Sequence, residues 1–289
     1  FPTHPIQETG KRPTAMLDRN LSYLSLVEVL YGYPIDGVIL TTGCDKTTPA
    51  ALMAAATVNI PAIVLSGGPM LDGVYKGKLA GSGMVVWEAR KMLAKGEIKY
   101  EEFMDMVASS APSAGHCNTM GTASSMNSVA EALGMSLPGG AVIPAPYRER
   151  EQISYETGKR IVGMVHEDLT PSKILIRKAF ENAVVVASAI GGSSNCTAHL
   201  SAIAKHMGIK FDLSDWQKLG HNIPLLVNCQ PAGEYLMESF HRAGAIPAVM
   251  RELIKNKKLH TKIKTVTGKT VGENLRRKVD VDNKVIKSF

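Results

Sequence analysis

Cysteine and tryptophan are scarce in this chain, with four and two among 289 residues, and aromatic residues make up only 6%. Four scattered cysteines are too few and too widely spaced for a disulfide framework, and they point to reduced thiols or metal ligation. No paired Cys-x-x-Cys is present, which argues against a zinc knuckle. No apolar run is long enough to cross a bilayer, and the N-terminus lacks the basic-then-apolar pattern of a signal peptide. The cytoplasm is therefore the expected compartment, with no membrane partner. There is no fixed-period repeat, no low-complexity tract and no initiating methionine before Phe1. The chain is accordingly read as part of a longer protein.

What is there is the balance of an ordinary globular protein, 45% hydrophobic and 20% charged. A net charge of +7 admits small anions or nucleic acid as partners. The basic stretch Lys255 to Lys264 lacks the interleaved aromatics that stack bases, so a solvated face is the preferred reading and nucleic acid is disfavoured.

Strand and helix signals alternate. Gly37 to Thr41 reads as a strand, Thr48-Pro49 as a helix start opening Ala50 to Thr57, and Ala62 to Ser66 as the next strand, together a parallel βαβ crossover. Met126, Val129, Ala130 and Leu133 recur at helical spacing, with Gly134 as the C-terminal stop. After a loop from Pro138 to Arg150, the same grammar predicts a strand at Ala183 to Ala187, a turn at Gly191 to Asn195 and a helix from Thr197 to Met207. A strand at Ile223 to Asn228 and a helix containing Tyr235 to Arg242 follow. The expected class is α/β, with mainly parallel sheets flanked by helices in three layers and two α/β lobes. Residues 1–275 are assigned to one domain and 276–289 to a linker.

Ligands of open α/β sheets gather beyond the carboxyl ends of the strands, where the turns with Cys44, Gly191-Gly192 and Gln230 fall. Cys44, in Gly43-Cys44-Asp45-Lys46-Thr47-Thr48-Pro49, and Cys117, in Ala114-Gly115-His116-Cys117-Asn118-Thr119-Met120, both precede helix-like runs. Unpaired N–H groups there favour a thiolate, the form that binds iron or zinc. The competing reading of each is a small buried hydrophobe, and of Asp45-Lys46 a solvated turn pair. Gly191-Gly192-Ser193-Ser194 hints at phosphate, but the lysine of a Walker loop and the spacing of a dinucleotide fingerprint are both missing.

Gly43 to Ala50, Ser66-Gly67-Gly68-Pro69-Met70, Ala114 to Ala123 and Gly191 to Asn195 resemble, in order, the dihydroxy-acid and phosphogluconate dehydratase family. Arg12 to Met16, Ile143 to Arg150 and Leu225 to Asn228 are most similar to its sugar-acid branch. The resemblance implies a hydro-lyase that converts a 2,3-dihydroxy acid to a 2-keto-3-deoxy acid with an iron-sulfur cluster and Mg2+. It assigns Cys44 and Cys117 to the cluster, 2Fe-2S favoured over 4Fe-4S, and Asp45, Lys46 as a carbamate and Glu8 to magnesium. The local sequence around Glu8 departs from the family pattern. A third cluster cysteine and a base serine are expected outside this chain, so the chain alone is expected to be inactive. The resemblance further implies a homo-oligomer acting on a small anionic sugar acid. Alternatives are the branched-chain dihydroxy-acid reaction or a non-catalytic basic binding module. His116 is expected to be a neutral hydrogen-bond donor, Cys196 and Cys229 to be buried, and Asn195 and His199 to touch substrate or serve as cap and packing.

Overall fold

The computed structural model describes residues 15–278 and 280–289. Helix α1 (Ala15–Gly32) leads to strand β1 (Val38–Thr42), helix α2 (Thr47–Val58) and strand β2 (Ala62–Ser66). The two strands pair in parallel, Val38 against Ala62 through Thr42 against Ser66, so the βαβ crossover is as the sequence predicts. Residues Thr48 to Ala56 of α2 are all buried, which its run of alanines with Leu52 and Met53 permits: a helix apolar on every side belongs inside the molecule. α2 begins one residue before Thr48, with Lys46 at its cap position.

A hairpin of β3 (Val74–Tyr75) and β4 (Lys78–Leu79) precedes α3 (Ser82–Ala94) and α4 (Tyr100–Ser110), which enclose a small satellite core of Ala89, Ile98 and Met106. Helices α5 (Thr122–Ala132) and α6 (Arg148–His166) follow, α5 buried along its whole length and α6 lying on β1 and β2. Gly134 follows α5 with φ of +83°, the left-handed position that ends a helix with glycine, as predicted.

The class is α/β, and among the described residues β1 and β2 are the parallel strand pair, with isolated parallel bridges at Pro69–His116 and Cys229–Tyr235. The strand expected at Ala183 to Ala187 is instead the middle of α7 (Arg177–Ala189). A short apolar run buried on all sides has no period to separate strand from helix, and the alanines at 179, 183, 187 and 189 tip the balance against the β-branched Val184-Val185-Val186. Ile223 to Asn228 is not a strand either. Val227 alone makes an antiparallel bridge, to Ile286, and Pro224 lacks the N–H a ladder needs.

In place of a second α/β lobe, the downstream half is helical: α8 (Asn195–His206), α9 (Leu213–Gly220), α10 (Met237–Arg242), α11 (Ala245–Lys255) and α12 (Val271–Asn274). One continuous core runs from Leu40 to Ile286, uniting this half with the βαβ unit. Within the terminal stretch, Val285 and Ile286 are buried in that core. No helix among the described residues is long and apolar enough to cross a membrane.

Candidate metal centre

Thr42 ends β1, and the chain turns through Gly43-Cys44-Asp45 into α2. The turn closes on itself: the Cys44 N–H donates to Thr47 Oγ1 at 3.0 Å, and the Thr47 hydroxyl donates back to the Cys44 carbonyl at 3.1 Å. Cys44 is thereby held just ahead of the helix, as the sequence reading requires.

The Cys117 loop is held by a second set of bonds. The Met70 N–H donates to the His116 carbonyl at 2.9 Å and the His116 N–H to the Gly68 carbonyl at 3.0 Å, a parallel bridge that puts Gly68 to Met70 alongside the loop. Asn118, fully buried, accepts from the Ser82 N–H at 2.8 Å and donates to the Leu71 carbonyl at 2.8 Å. Its own carbonyl accepts from the Met237 N–H at 2.9 Å.

The two cysteine loops meet. A Cβ on Gly43 would lie 3.8 Å from the His116 ring, and the Asn127 side chain of α5 reaches both. Its Nδ2 donates to the Gly43 carbonyl at 3.2 Å and faces His116 Nε2 at 3.4 Å. Asp45 and Lys46 share the first loop, with Oδ2 and Nζ 3.9 Å apart and side chains only 16% and 8% exposed, so the pair is not a solvated turn. Glu8 lies outside the described residues.

Burial pushes the His116 imidazole down to about 4, which leaves it neutral. Its Nδ1 sits 3.0 Å from the Cys117 carbonyl. A carbonyl only accepts, so that nitrogen carries the proton, as expected for a hydrogen-bond donor. Burial likewise pushes His199 down to about 3, with Lys46 and Arg19 adding to the effect, and His199 Nδ1 lies 3.2 Å from an Arg19 guanidinium nitrogen. The fully buried His199 is thus packed beside the Lys46 loop.

Cys196 and Cys229 are both buried and both pushed up to about 12 by desolvation, so they stay protonated, in accord with their reading as buried thiols. Asn195 does not cap α8. Ser194 holds that position without a side-chain bond, and Asn195 Nδ2 instead donates to Thr122 Oγ1 at 3.0 Å. The Ser193 hydroxyl lies 2.9 Å from the same oxygen, and the Ser193 N–H donates to Ser125 Oγ at 2.9 Å, tying the Gly191 to Asn195 turn to the start of α5.

Asn127, Asn118 and Arg19 escape a reading built on cysteines and apolar spacing. The signal for Asn127 was the run Thr122-Ala123-Ser124-Ser125-Met126-Asn127-Ser128, a helix too polar for a core yet buried throughout. A buried amide of that kind needs partners, and here they belong to the two cysteine loops.

Among the described residues no group of three or more His, Cys, Asp or Glu side chains is gathered to hold a metal ion. The donor chemistry nevertheless sorts into two kinds, with thiols on two abutting loops for a soft metal and the Asp45 carboxylate in the next position for a hard one. The residues fit as part of the ligand set of each.

Residues 2–274 match the family described as dihydroxy-acid/6-phosphogluconate dehydratase N-terminal. The D-xylonate dehydratase of Caulobacter vibrioides is 62% identical over 286 residues, 99% of this chain and 48% of that protein. The L-arabinonate dehydratase of Rhizobium leguminosarum bv. trifolii is 46% identical over 285 residues, 99% of this chain and 49% of its own. A dihydroxy-acid dehydratase of Caldanaerobacter subterraneus is 42% identical over 253 residues, 88% and 45%. The chain spans about half the length of these relatives.

Proposed function

The chain belongs to the dihydroxy-acid/6-phosphogluconate dehydratase family, and from that premise we propose that the whole protein is a hydro-lyase removing water from a sugar acid to give a 2-keto-3-deoxy acid. The observation that carries it is the convergence of the Cys44 and Cys117 loops beneath Asn127, with Asp45 and Lys46 in the two positions after Cys44. The sugar-acid substrate is favoured by identities of 62% and 46% to dehydratases named for xylonate and arabinonate, against 42% to a dihydroxy-acid dehydratase.

Cys44 and Cys117 would hold an iron-sulfur cluster of the 2Fe-2S type, and Asp45, Lys46 as a carbamate and Glu8 would hold Mg2+. When bound, the cluster and the magnesium ion supply Lewis acidity toward the departing hydroxyl and the substrate carboxylate. The chain's own residues position and insulate. The neutral His116 brings no positive charge to the Cys117 loop, and its Nδ1–H is spent on the Cys117 carbonyl. Asn118 fixes that loop to Leu71, Ser82 and Met237, while Asn195 and Ser193 tie their turn to Thr122 at the start of α5. The net charge of +7 favours encounter with an anionic substrate. A homo-oligomer in the cytoplasm, with residues 1–275 as its cluster-bearing domain, completes the reading.

The test is turnover of pentonates and hexonates by the full-length protein reconstituted anaerobically with iron, sulfide and Mg2+. Keto-acid product from at least one is expected. Product only from branched-chain dihydroxy acids would move the protein to the sister activity, and no product from either class would end the reading.

A further inference from the structure

We propose that Asn127 is a positioning residue for the metal centre, its single amide setting the separation of the loops that carry Cys44 and Cys117. The inference rests on the reading above, in which the two cysteines serve one cluster. Asn127 is 1% exposed and sits in the middle of α5, where an unpaired amide would be costly. Every hydrogen-bonding capacity of its side chain is used. Oδ1 accepts from the Thr42 hydroxyl at 3.0 Å and faces that of Thr48 at 3.4 Å, on the two elements flanking the Cys44 turn. Nδ2 donates to the Ala123 carbonyl at 2.9 Å, anchoring the amide to its own helix, and to the Gly43 carbonyl, with His116 Nε2 as the third neighbour.

The orientation of the amide has no alternative. Ala123 and Gly43 present carbonyl oxygens, which only accept, so Nδ2 must face them and Oδ1 must face the hydroxyls. Because the Cys117 carbonyl fixes the proton of His116 on Nδ1, the lone pair on Nε2 faces Nδ2 and shares, at the longer distance of 3.4 Å, the hydrogen that Nδ2 directs to the Gly43 carbonyl. One rigid planar group therefore spans from the residue before Cys44 to the residue before Cys117. Replacing Nδ2 by a carboxylate oxygen, as in Asn127→Asp, sets like against like at Gly43, Ala123 and His116 while preserving shape.

The experiment uses the full-length protein, wild type and Asn127→Asp, with Asn127→Ser as a graded variant that folds if the aspartate does not. Val129→Ala, a core truncation on the same helix, controls for general loosening. Apoprotein is titrated with phenylarsine oxide, which bridges two neighbouring thiols, with Cys44→Ser defining the signal. The anaerobically reconstituted protein is then examined for its visible circular dichroism and reduction potential. A fall of at least tenfold in bridging rate, with an altered visible spectrum and potential, is expected for Asn127→Asp. A smaller change in the same sense is expected for Asn127→Ser, and neither effect for Val129→Ala. Wild-type bridging and spectrum in both Asn127 variants, or the same changes in Val129→Ala, would overturn the proposal. Wild-type apoprotein that bridges the arsenical in an Asn127-dependent way yet takes up no iron and sulfide would support the clamp and reject the dehydratase reading.

Discussion

Gly115 approaches Met70 so closely that a Cβ on the glycine would sit 2.4 Å from the Met70 nitrogen and 2.5 Å from the Pro69 carbonyl carbon. The obstruction is backbone, which cannot rotate aside, and Gly115 has a φ of +135° that other residues avoid. Gly115→Ala must therefore push the Cys117 loop off the Gly68 to Met70 segment. A loss of about 2–4 kcal/mol is expected in denaturant unfolding, together with loss of iron binding. A variant with wild-type stability and iron content would show that the two segments are not in contact.

Arg150 is a buried charge that should be costly to change. Its guanidinium, on a residue only 7% exposed, donates to the Ser66 carbonyl at 2.6 Å, the Gly140 carbonyl at 2.9 Å and the Ile143 carbonyl, joining the end of β2 to the loop before α6. A lysine ammonium is a point donor without the planar fork. Arg150→Lys should cost about 2–3 kcal/mol and Arg150→Met more, since the buried carbonyls lose their partners outright. Urea denaturation of the two variants beside wild type checks the order.

Glu131 gives the fold a pH dependence. Burial pushes its carboxyl up to about 7, although the Gly139 and Ala141 N–H groups at 2.7 and 3.1 Å and the charge of Arg150 act the other way. A carboxyl that ionises less readily when folded holds its proton preferentially in the native state. Its contribution is therefore fully present below the ordinary glutamate value and is lost as pH rises from there through about 7, to the extent of roughly 3 kcal/mol. Glu131→Gln should flatten the fall in melting temperature between pH 5 and pH 8. An unchanged slope would assign the pH dependence to other groups.

Thiol chemistry should divide the four cysteines into two pairs. Cys196 and Cys229 are buried and protonated, whereas Cys44 and Cys117 are partly exposed. In native apoprotein, iodoacetamide followed by peptide mapping should label Cys44 and Cys117 at least tenfold faster. Equal rates would mean that Cys196 and Cys229 are accessible.

The first βαβ unit was legible because each strand is short, apolar and bounded by glycine or proline, whereas the two cysteine loops stood out through their resemblance to family motifs, a lone thiol being as readily a small buried hydrophobe. Ala183 to Ala187 was not, since burial on every side erases the periodicity that separates helix from strand. Ile223 to Asn228 misled for a different reason: Leu226 and Val227 are buried as strand residues would be, but Leu225 is exposed and Pro224 denies the segment a ladder. At the proposed site, sequence could name the cysteines and not the contacts between their loops. Asn127 lies 83 residues beyond Cys44 and ten beyond Cys117, and only the packing of α5 against α2 shows that one amide serves both loops.

Iron and acid-labile sulfide per chain, measured in anaerobically reconstituted full-length protein for wild type, Cys44→Ser and Cys117→Ser, test most directly whether the two loops form one centre. Wild type should hold both elements in equal amounts, and each single substitution should abolish them together with the visible absorbance. Full iron and sulfide in either serine variant, or zinc in place of iron in the wild type, would contradict the account.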